Sequence, residues 1–149
     1  MNGRRSSLLV AALLLLAGCS TTAPRLLAAG EPLRPCPPTP NCVTTDAVDP
    51  RHAMDPLPFR GSAAAAQARA RAALLAEPRT RIVAERPGYL HAEARTRVLR
   101  FVDDVEVVVD SAAGRVRFRS ASRVGRNDLG VNRARMERFV RRFQRSGSE

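Results

Sequence analysis

The stretch Val98-Leu99-Arg100-Phe101-Val102-Asp103-Asp104-Val105-Glu106-Val107-Val108-Val109-Asp110, followed by Ser111-Ala112-Ala113-Gly114 and then Arg115-Val116-Arg117-Phe118-Arg119-Ser120-Ala121, decides the fold. Two runs rich in Val and Phe, each alternating apolar with polar residues, flank a short turn ending in glycine. This is the pattern of a β-hairpin. Its register can be read from the residues. If Asp110 faces Arg115, then Val109 faces Val116, Val107 faces Phe118, Glu106 faces Arg119 and Asp103 faces Ser122. Apolar then meets apolar and acid meets base, whereas a slip of one residue destroys every match. On the first of these strands Leu99, Phe101, Val105, Val107 and Val109 share the inward side, and Asp103 falls in the same set.

Upstream, Arg79–Glu85 and Tyr89–Arg95 read as two further strands joined by the turn Arg86-Pro87-Gly88. The second places Leu90, Ala92 and Ala94 on one side and His91, Glu93 and Arg95 on the other, so His91 is expected at the surface. Before them, Ser62–Ala76 predicts a helix with Ser62 as N-cap, Ala66, Ala70, Ala73 and Leu74 on one buried face, and Pro78 as its stop. A second helix is expected from Asn132, acting as its cap, with Val131 placed to staple onto Met136. Met136, Phe139, Val140 and Phe143 form its apolar stripe, and Arg138, Arg142 and Arg145 a solvated face. The order α-β-β-β-β-α predicts an α+β domain over residues 41–145, an antiparallel four-stranded meander with two helices packed on one face. Residues 41–59 have no period and are expected as an irregular strap on the domain. Residues 146–149 are expected as a disordered tail.

The N-terminus carries an address. Arg4 and Arg5 precede an apolar run, Leu8 to Leu16, and then Leu16-Ala17-Gly18-Cys19. This resembles the signal and lipobox of bacterial lipoproteins, with cleavage after residue 18 and acylation of Cys19. The apolar run is too short to span a bilayer. Exported, lipid-anchored display on the cell envelope follows. Ser20, in place of Asp, points to the periplasmic face of the outer membrane in a Gram-negative cell. Residues 19–40 then read as a Pro-rich tether, unable to bury enough surface to fold alone. Cys36 and Cys42 remain, and three arrangements are open: a disulfide, two free thiols, or a metal site with His52 as third ligand.

The chain of 149 residues has a formal net charge of +11, and all 25 of its basic residues are arginine. This usage reads either as the codon bias of a GC-rich genome or as a surface that attracts anions: phospholipid headgroups, phosphorylated sugars or nucleic acid. Export removes the last. The segment Arg119–Arg133 is polar throughout and delivers backbone amides to a helix N-terminus, a place that can hold an anion. Arg123 or Arg133 can grip a phosphate or carboxylate in bidentate fashion. In the competing reading, Asp103, Asp104 and Glu106 neutralise these arginines in a structural network. A hydrolase or transferase using Asp103 or Asp104 is the third possibility, but adjacent strand residues point to opposite faces and so do not share a site. No nucleophile elbow, metal spacing or phosphate loop accompanies them, and no cofactor or catalytic residue is assigned.

Four blocks carry a resemblance. They are Cys36-Pro37 with Pro40-Asn41-Cys42-Val43; Phe101-Val102-Asp103-Asp104-Val105-Glu106; Arg119-Ser120-Ala121-Ser122-Arg123-Val124-Gly125; and Asp128-Leu129-Gly130-Val131-Asn132-Arg133. Together they resemble the uncharacterised bacterial and plastid family known as domain of unknown function 1499. The resemblance implies a shared polar set at Asp103, Asp104, Glu106, Arg119, Ser120, Ser122, Arg123, Asp128, Asn132 and Arg133. It implies no activity. Arg126-Asn127 depart from the Tyr-Ser of many members, and Thr96 from their Ser. The function expected is non-catalytic binding of an anionic envelope ligand or a protein partner through that polar set. The alternatives are a purely structural module and a carboxylate-dependent enzyme.

Overall fold

The computed structural model describes residues 25–27 and 31–147. The proposed signal, Cys19, Ser20 and residues 148–149 lie outside them. No described helix is long and apolar enough to cross a membrane.

Two helices and a six-stranded sheet make up the α+β fold: β1 (Cys42–Thr44), β2 (Leu57–Pro58), α1 (Ala63–Leu75), β3 (Thr80–Arg86), β4 (Tyr89–Arg95), β5 (Val102–Asp110), β6 (Arg115–Ser122) and α2 (Val131–Arg145). The strands run in the order β1-β6-β5-β4-β3, with β2 also on β6. The expected four-stranded meander is therefore too small. Its outer edge, β6, is completed by the segment read as an irregular strap. There β1 covers Arg119–Ala121 and β2 covers Arg115–Val116. Both strands are too short to show a period of two, which is why residues 41–59 look irregular in the sequence. An open β6 edge would leave a row of unpaired backbone groups; these two fragments take it up.

The β5–β6 register is the one that side-chain matching predicts, with Asp103 opposite Ser122, Glu106 opposite Arg119 and Asp110 opposite Arg115. The start of β5 is not. Arg100 adopts a left-handed conformation (φ 54°), and the Thr96 hydroxyl accepts from the Phe101 amide at 2.9 Å. The chain thus turns at residues 97–100, and β5 begins only at Val102. Leu99 and Phe101, placed inward by alternation, are 68% and 46% exposed.

Helix α1 starts where its sequence says, with the Ser62 hydroxyl accepting from Ala65 N at 3.1 Å. Its four small or apolar residues, Ala66, Ala70, Ala73 and Leu74, are buried. Asn132 does not cap α2. Gly130 takes the N-cap in a left-handed conformation, and the Asp128 carboxylate does the capping, accepting from the Gly130 and Asn132 amides at 2.9 and 2.8 Å. Asn132 is instead buried in the first turn. Nor is the arginine side of α2 simply solvated, since Arg138 and Arg142 close on the buried Glu77 at the end of α1.

One apolar cluster joins α1, α2 and alternate residues of β4, β5 and β6: Leu90, Ala92 and Ala94; Val105, Val107 and Val109; Val116 and Phe118. Phe118 meets Phe139 edge-to-face at 5.7 Å between ring centroids. Each fully buried large side chain here stabilises the fold by about 1.5–3 kcal/mol. The other residues of these strands form a second, charged surface that is partly covered. Leu27 and Leu33 pack with Tyr89 and Val108, and Arg34 reaches Glu106. Part of the stretch expected as a tether thus crosses the sheet. It is fastened by a disulfide between Cys36 and Cys42, which consumes both thiols and leaves His52 to face the Cys42 carbonyl through Nδ1 at 2.9 Å.

Candidate functional site

Strand alternation divides the predicted polar set between two centres. Asp104, Glu106, Arg119 and Arg123 project to the charged side of the sheet. Asp103, Ser120, Ser122, Asp128 and Asn132 gather on the other side, where β5 and β6 end against the start of α2. Arg133 joins neither. It donates to the carbonyls of Arg51 and Ala53 and ties the chain before β2 to α2.

The first centre is a ladder across β4, β5 and β6. His91 stands opposite Glu106, and Glu93 opposite Asp104. Two carboxylates side by side repel unless a cation lies between them. Arg123 supplies it, holding Asp104 through Nε and Nη2 at 2.8 and 2.7 Å and Glu93 through Nη2 at 2.8 Å. Arg81 grips Glu93 from the far side at 2.8 Å, and His91 Nε2 meets Asp104 at 2.8 Å. Burial raises the pKa of Glu93, but Arg81 and Arg123 outweigh it and hold that carboxyl below its ordinary range. Burial likewise opposes Arg123 and His91 at Asp104, and the cation again prevails. The Arg123 guanidinium is correspondingly raised. Further along, Glu106 is fully buried. It accepts from Arg34 at 2.7 Å and from the Tyr89 hydroxyl at 3.0 Å; burial first, then Glu106, pushes the phenol pKa up. Arg119 is the least satisfied member. Its nearest carboxylate oxygen, on Glu106, is 3.7 Å away. Its Nε is buried without a hydrogen-bond partner, as are those of Arg34 and Arg117. Burial lowers its pKa.

The second centre is closed around Arg135, which sequence reasoning did not select. Arg135 donates to Asp103 at 2.6 Å, to Asn132 Oδ1 at 2.7 Å and to the Ser120 hydroxyl at 3.2 Å. Ser120 in turn donates to Asn132 Oδ1 at 2.6 Å. The Asn132 amide donates to the Ser122 hydroxyl, the Asp128 carboxylate and the Asn41 carbonyl. Asp103, Asn132 and Arg135 are each at most 5% exposed. A buried acid among apolar neighbours is tolerated because a guanidinium meets it.

The acids of β5 and the arginine-serine run of β6 therefore do come together, but back to back, and their closest partners include Arg34, Tyr89, His91 and Arg135 from other elements. His91, expected at the surface, is 1% exposed. It and Glu93 were discoverable, since pairing β4 with β5 by the same matching places them beside Glu106 and Asp104. Arg135 carried a signal too, since it stands four residues before Phe139 on the inward stripe of α2 and three after Asn132. Arg34 was hidden in a proline-rich stretch.

One open region among the described residues is the end of the sheet where the β4–β5 turn meets the β6–α2 loop; larger clefts lie beside Tyr89, Val108 and Arg117 and between α1 and the β3–β4 turn. A cavity of 360 Å³ lies between residues 96–101 and 122–131, above Asp103, Ser122 and Asp128. Among the described residues, five of the nine exposed large apolar side chains stand on its walls: Val98, Leu99, Phe101, Leu129 and Val131. Leu129 is 90% exposed and, like Arg100, left-handed at φ 54°. Arg97, Arg100 and Arg126 of the same two loops are exposed, and no ion pair involves them among the described residues.

The family model described as a protein of unknown function, DUF1499, matches residues 32–143. The chain belongs to the DUF1499 family. The match takes in both polar centres, the disulfide, the packed residues from Leu33 onward and the open end. No curated protein and no solved structure matches the chain. Among the described residues no group of three or more His, Cys, Asp and Glu is placed to hold a metal ion. Asp103 and Asp104 stand on opposite sides of the sheet, each fixed by its own arginine, so they cannot divide acid and base work at one substrate.

Proposed function

We propose that this DUF1499 protein is an exported lipoprotein, acylated at Cys19, that displays a non-catalytic binding domain on the cell envelope and contacts anionic partners through its open loop end. The lipobox supports the anchor. The observation that carries the binding surface is a contrast in charge pairing. Arg123, half-buried, and Arg135, buried, are each matched to carboxylates within 3 Å, while among the described residues Arg97, Arg100 and Arg126 form no ion pair. In a cell with two membranes, Ser20 favours the inner leaflet of the outer one.

Metabolic labelling with a palmitate analogue tests the anchor. The wild-type chain takes label and sediments with membranes, and Cys19→Ser does neither; an unlabelled, soluble wild type refutes it. A phosphate-bearing cation-exchange resin tests the surface. The triple variant Arg97→Ala/Arg100→Ala/Arg126→Ala should elute at markedly lower salt than wild type. It should also elute earlier than Arg60→Ala/Arg141→Ala/Arg145→Ala, which removes equal charge elsewhere. Equal elution of the two triples removes the loop end from consideration.

Arg119 favours a second reading, in which an anion sits within the polar site itself, beneath the segment that crosses the sheet. Its buried, weakly partnered guanidinium is the feature that supports it. Arg119→Met would then abolish protection of the fold by inorganic phosphate. Phosphate that leaves the wild-type melting point unmoved disposes of this reading.

A further inference from the structure

We infer that the cavity at the loop end is a site for a single-chain anionic amphiphile, with its hydrocarbon tail between the two loops and its charged head among Arg97, Arg100 and Arg126. The inference rests on the reading of the loop end as the contact surface, and adds to it the class of ligand. Three observations converge. The cavity has the size of a small ligand site. Its walls hold Val98, Leu99, Phe101, Leu129 and Val131, whose exposure of 41% to 90% has no counterpart elsewhere on the domain as a group. Clustered apolar exposure of this kind marks a binding surface. Arg97 lines the cavity, Arg100 and Arg126 are exposed on the same two loops, and none of the three forms an ion pair among the described residues.

Orientation follows from charge. The floor holds Asp103 and Asp128, whose carboxylates are already met by Arg135 and by the Asn132 side chain. An anionic head pushed inward would face these two acids. A tail inserted there gives up no hydrogen bond, and the head then reaches the arginines outside. Neither an inorganic anion nor a neutral amphiphile uses both halves of the site.

The chain contains no tryptophan, so one indole reports the cavity alone. The complete chain carrying Cys19→Ser, which blocks acylation, receives Leu99→Trp; a matched chain receives Val48→Trp, at a position 100% exposed and outside the cavity. Dodecyl phosphate below its micelle concentration should shift the Leu99→Trp emission to the blue and leave Val48→Trp unchanged. Dodecyl maltoside monomers should bind about tenfold more weakly or worse, for want of the charged contact, and inorganic phosphate should produce no shift. Calorimetry on the chain without a reporter should show the dodecyl phosphate affinity falling at least about tenfold in Val98→Asp/Leu99→Asp. Both sites are exposed, so the fold stands. A shift with phosphatidylglycerol vesicles but not with monomers overturns the inference in favour of a membrane surface. A shift with protein concentration alone overturns it in favour of self-association, and no shift with any probe overturns it outright. Loss of resin binding in the arginine triple together with a silent tryptophan would leave the anionic contact standing and remove only the amphiphile.

Discussion

Removing the charge of Asp103 separates architecture from function most directly. Its Oδ2 receives Arg135 Nη2 at 2.6 Å, and both residues are at most 5% exposed. In Asp103→Ala the Arg135 guanidinium stays buried with only neutral acceptors, Asn132 Oδ1 and the Ser120 hydroxyl. Breaking a buried pair from one side costs about 3–5 kcal/mol. Asp103→Asn restores a neutral acceptor worth roughly 1 kcal/mol, so its cost should be about 2–4 kcal/mol. A domain of this size loses about 4 °C of melting temperature per kcal/mol, so Asp103→Asn should melt roughly 8–16 °C early. The second half of the test is Arg135→Met. Alone it strands Asp103 and should be as damaging as Asp103→Ala. Combined with Asp103→Ala it removes both charges, and Ser120 and Asn132 still satisfy one another at 2.6 Å. The double variant should then be more stable than the sum of the singles by about 2 kcal/mol or more. Urea unfolding followed by circular dichroism measures all four corners. Singles within about 0.5 kcal/mol of wild type, or strictly additive losses, would show that this pair does not hold the fold, and the centre would have to be reconsidered as a ligand site.

Two further outcomes follow from the charged face and the segment across it. Glu93 and Asp104 have folded pKa values below the ordinary 4.5 and 3.8, so the unfolded chain binds more protons as acid is added. Their stabilisation is complete above about pH 5 and is lost as pH falls through the lowered folded values. The urea midpoint should therefore drop below pH 4.5, and Arg123→Met should flatten that drop; an unchanged slope in the variant refutes the pairing as its source. The Cys36–Cys42 bridge closes a loop with a sequence separation of 6, for which chain entropy gives about 2 kcal/mol. Cys36→Ser/Cys42→Ser should lose that much and should raise amide exchange in residues 31–46 ahead of the rest of the domain. Uniform exchange across the chain would mean that the bridge does not fasten this segment.

The sequence made the β5–β6 hairpin legible because both of its sides carry matched pairs: valine with valine or phenylalanine, and Glu106 with Arg119. Helix α1 was legible from Ser62 and its alanines. What escaped reading has a common cause, namely contacts between segments far apart in the chain. Strands β1 and β2 have three and two residues and acquire meaning only against β6. Leu33 and Arg34 sit in a proline-rich run with no pattern, and the burial of one and the ion pair of the other depend on a surface made by residues 89–119. Alternation misplaced Leu99 and Phe101 because it continues smoothly through Arg100, where the backbone turns. The polar set of the family was visible as residue types, but its division into two centres is a property of the pleat, and Arg135, the cation that closes one of them, lies one turn before Phe139 on the helix's inward face, where an arginine reads as a break in the stripe until its partner Asp103 is placed.

The closed centres also bear on where an anion can bind at all. For a phosphate or carboxylate to reach Arg123, it must displace Asp104 and Glu93, both already hydrogen-bonded to that guanidinium. One charge-assisted contact is exchanged for another of the same kind, while a buried carboxylate is left without its cation, at a cost of several kcal/mol. The same holds at Arg135. An incoming anion therefore gains nothing from the strongest arginines of the sheet. At Arg97, Arg100 and Arg126 no carboxylate of the described residues has to leave, desolvation is slight because the side chains are exposed, and the adjoining apolar walls contribute affinity in proportion to the area they bury. Weak electrostatic attraction joined to a hydrophobic cleft favours ligands that carry both properties over small ions that carry only charge.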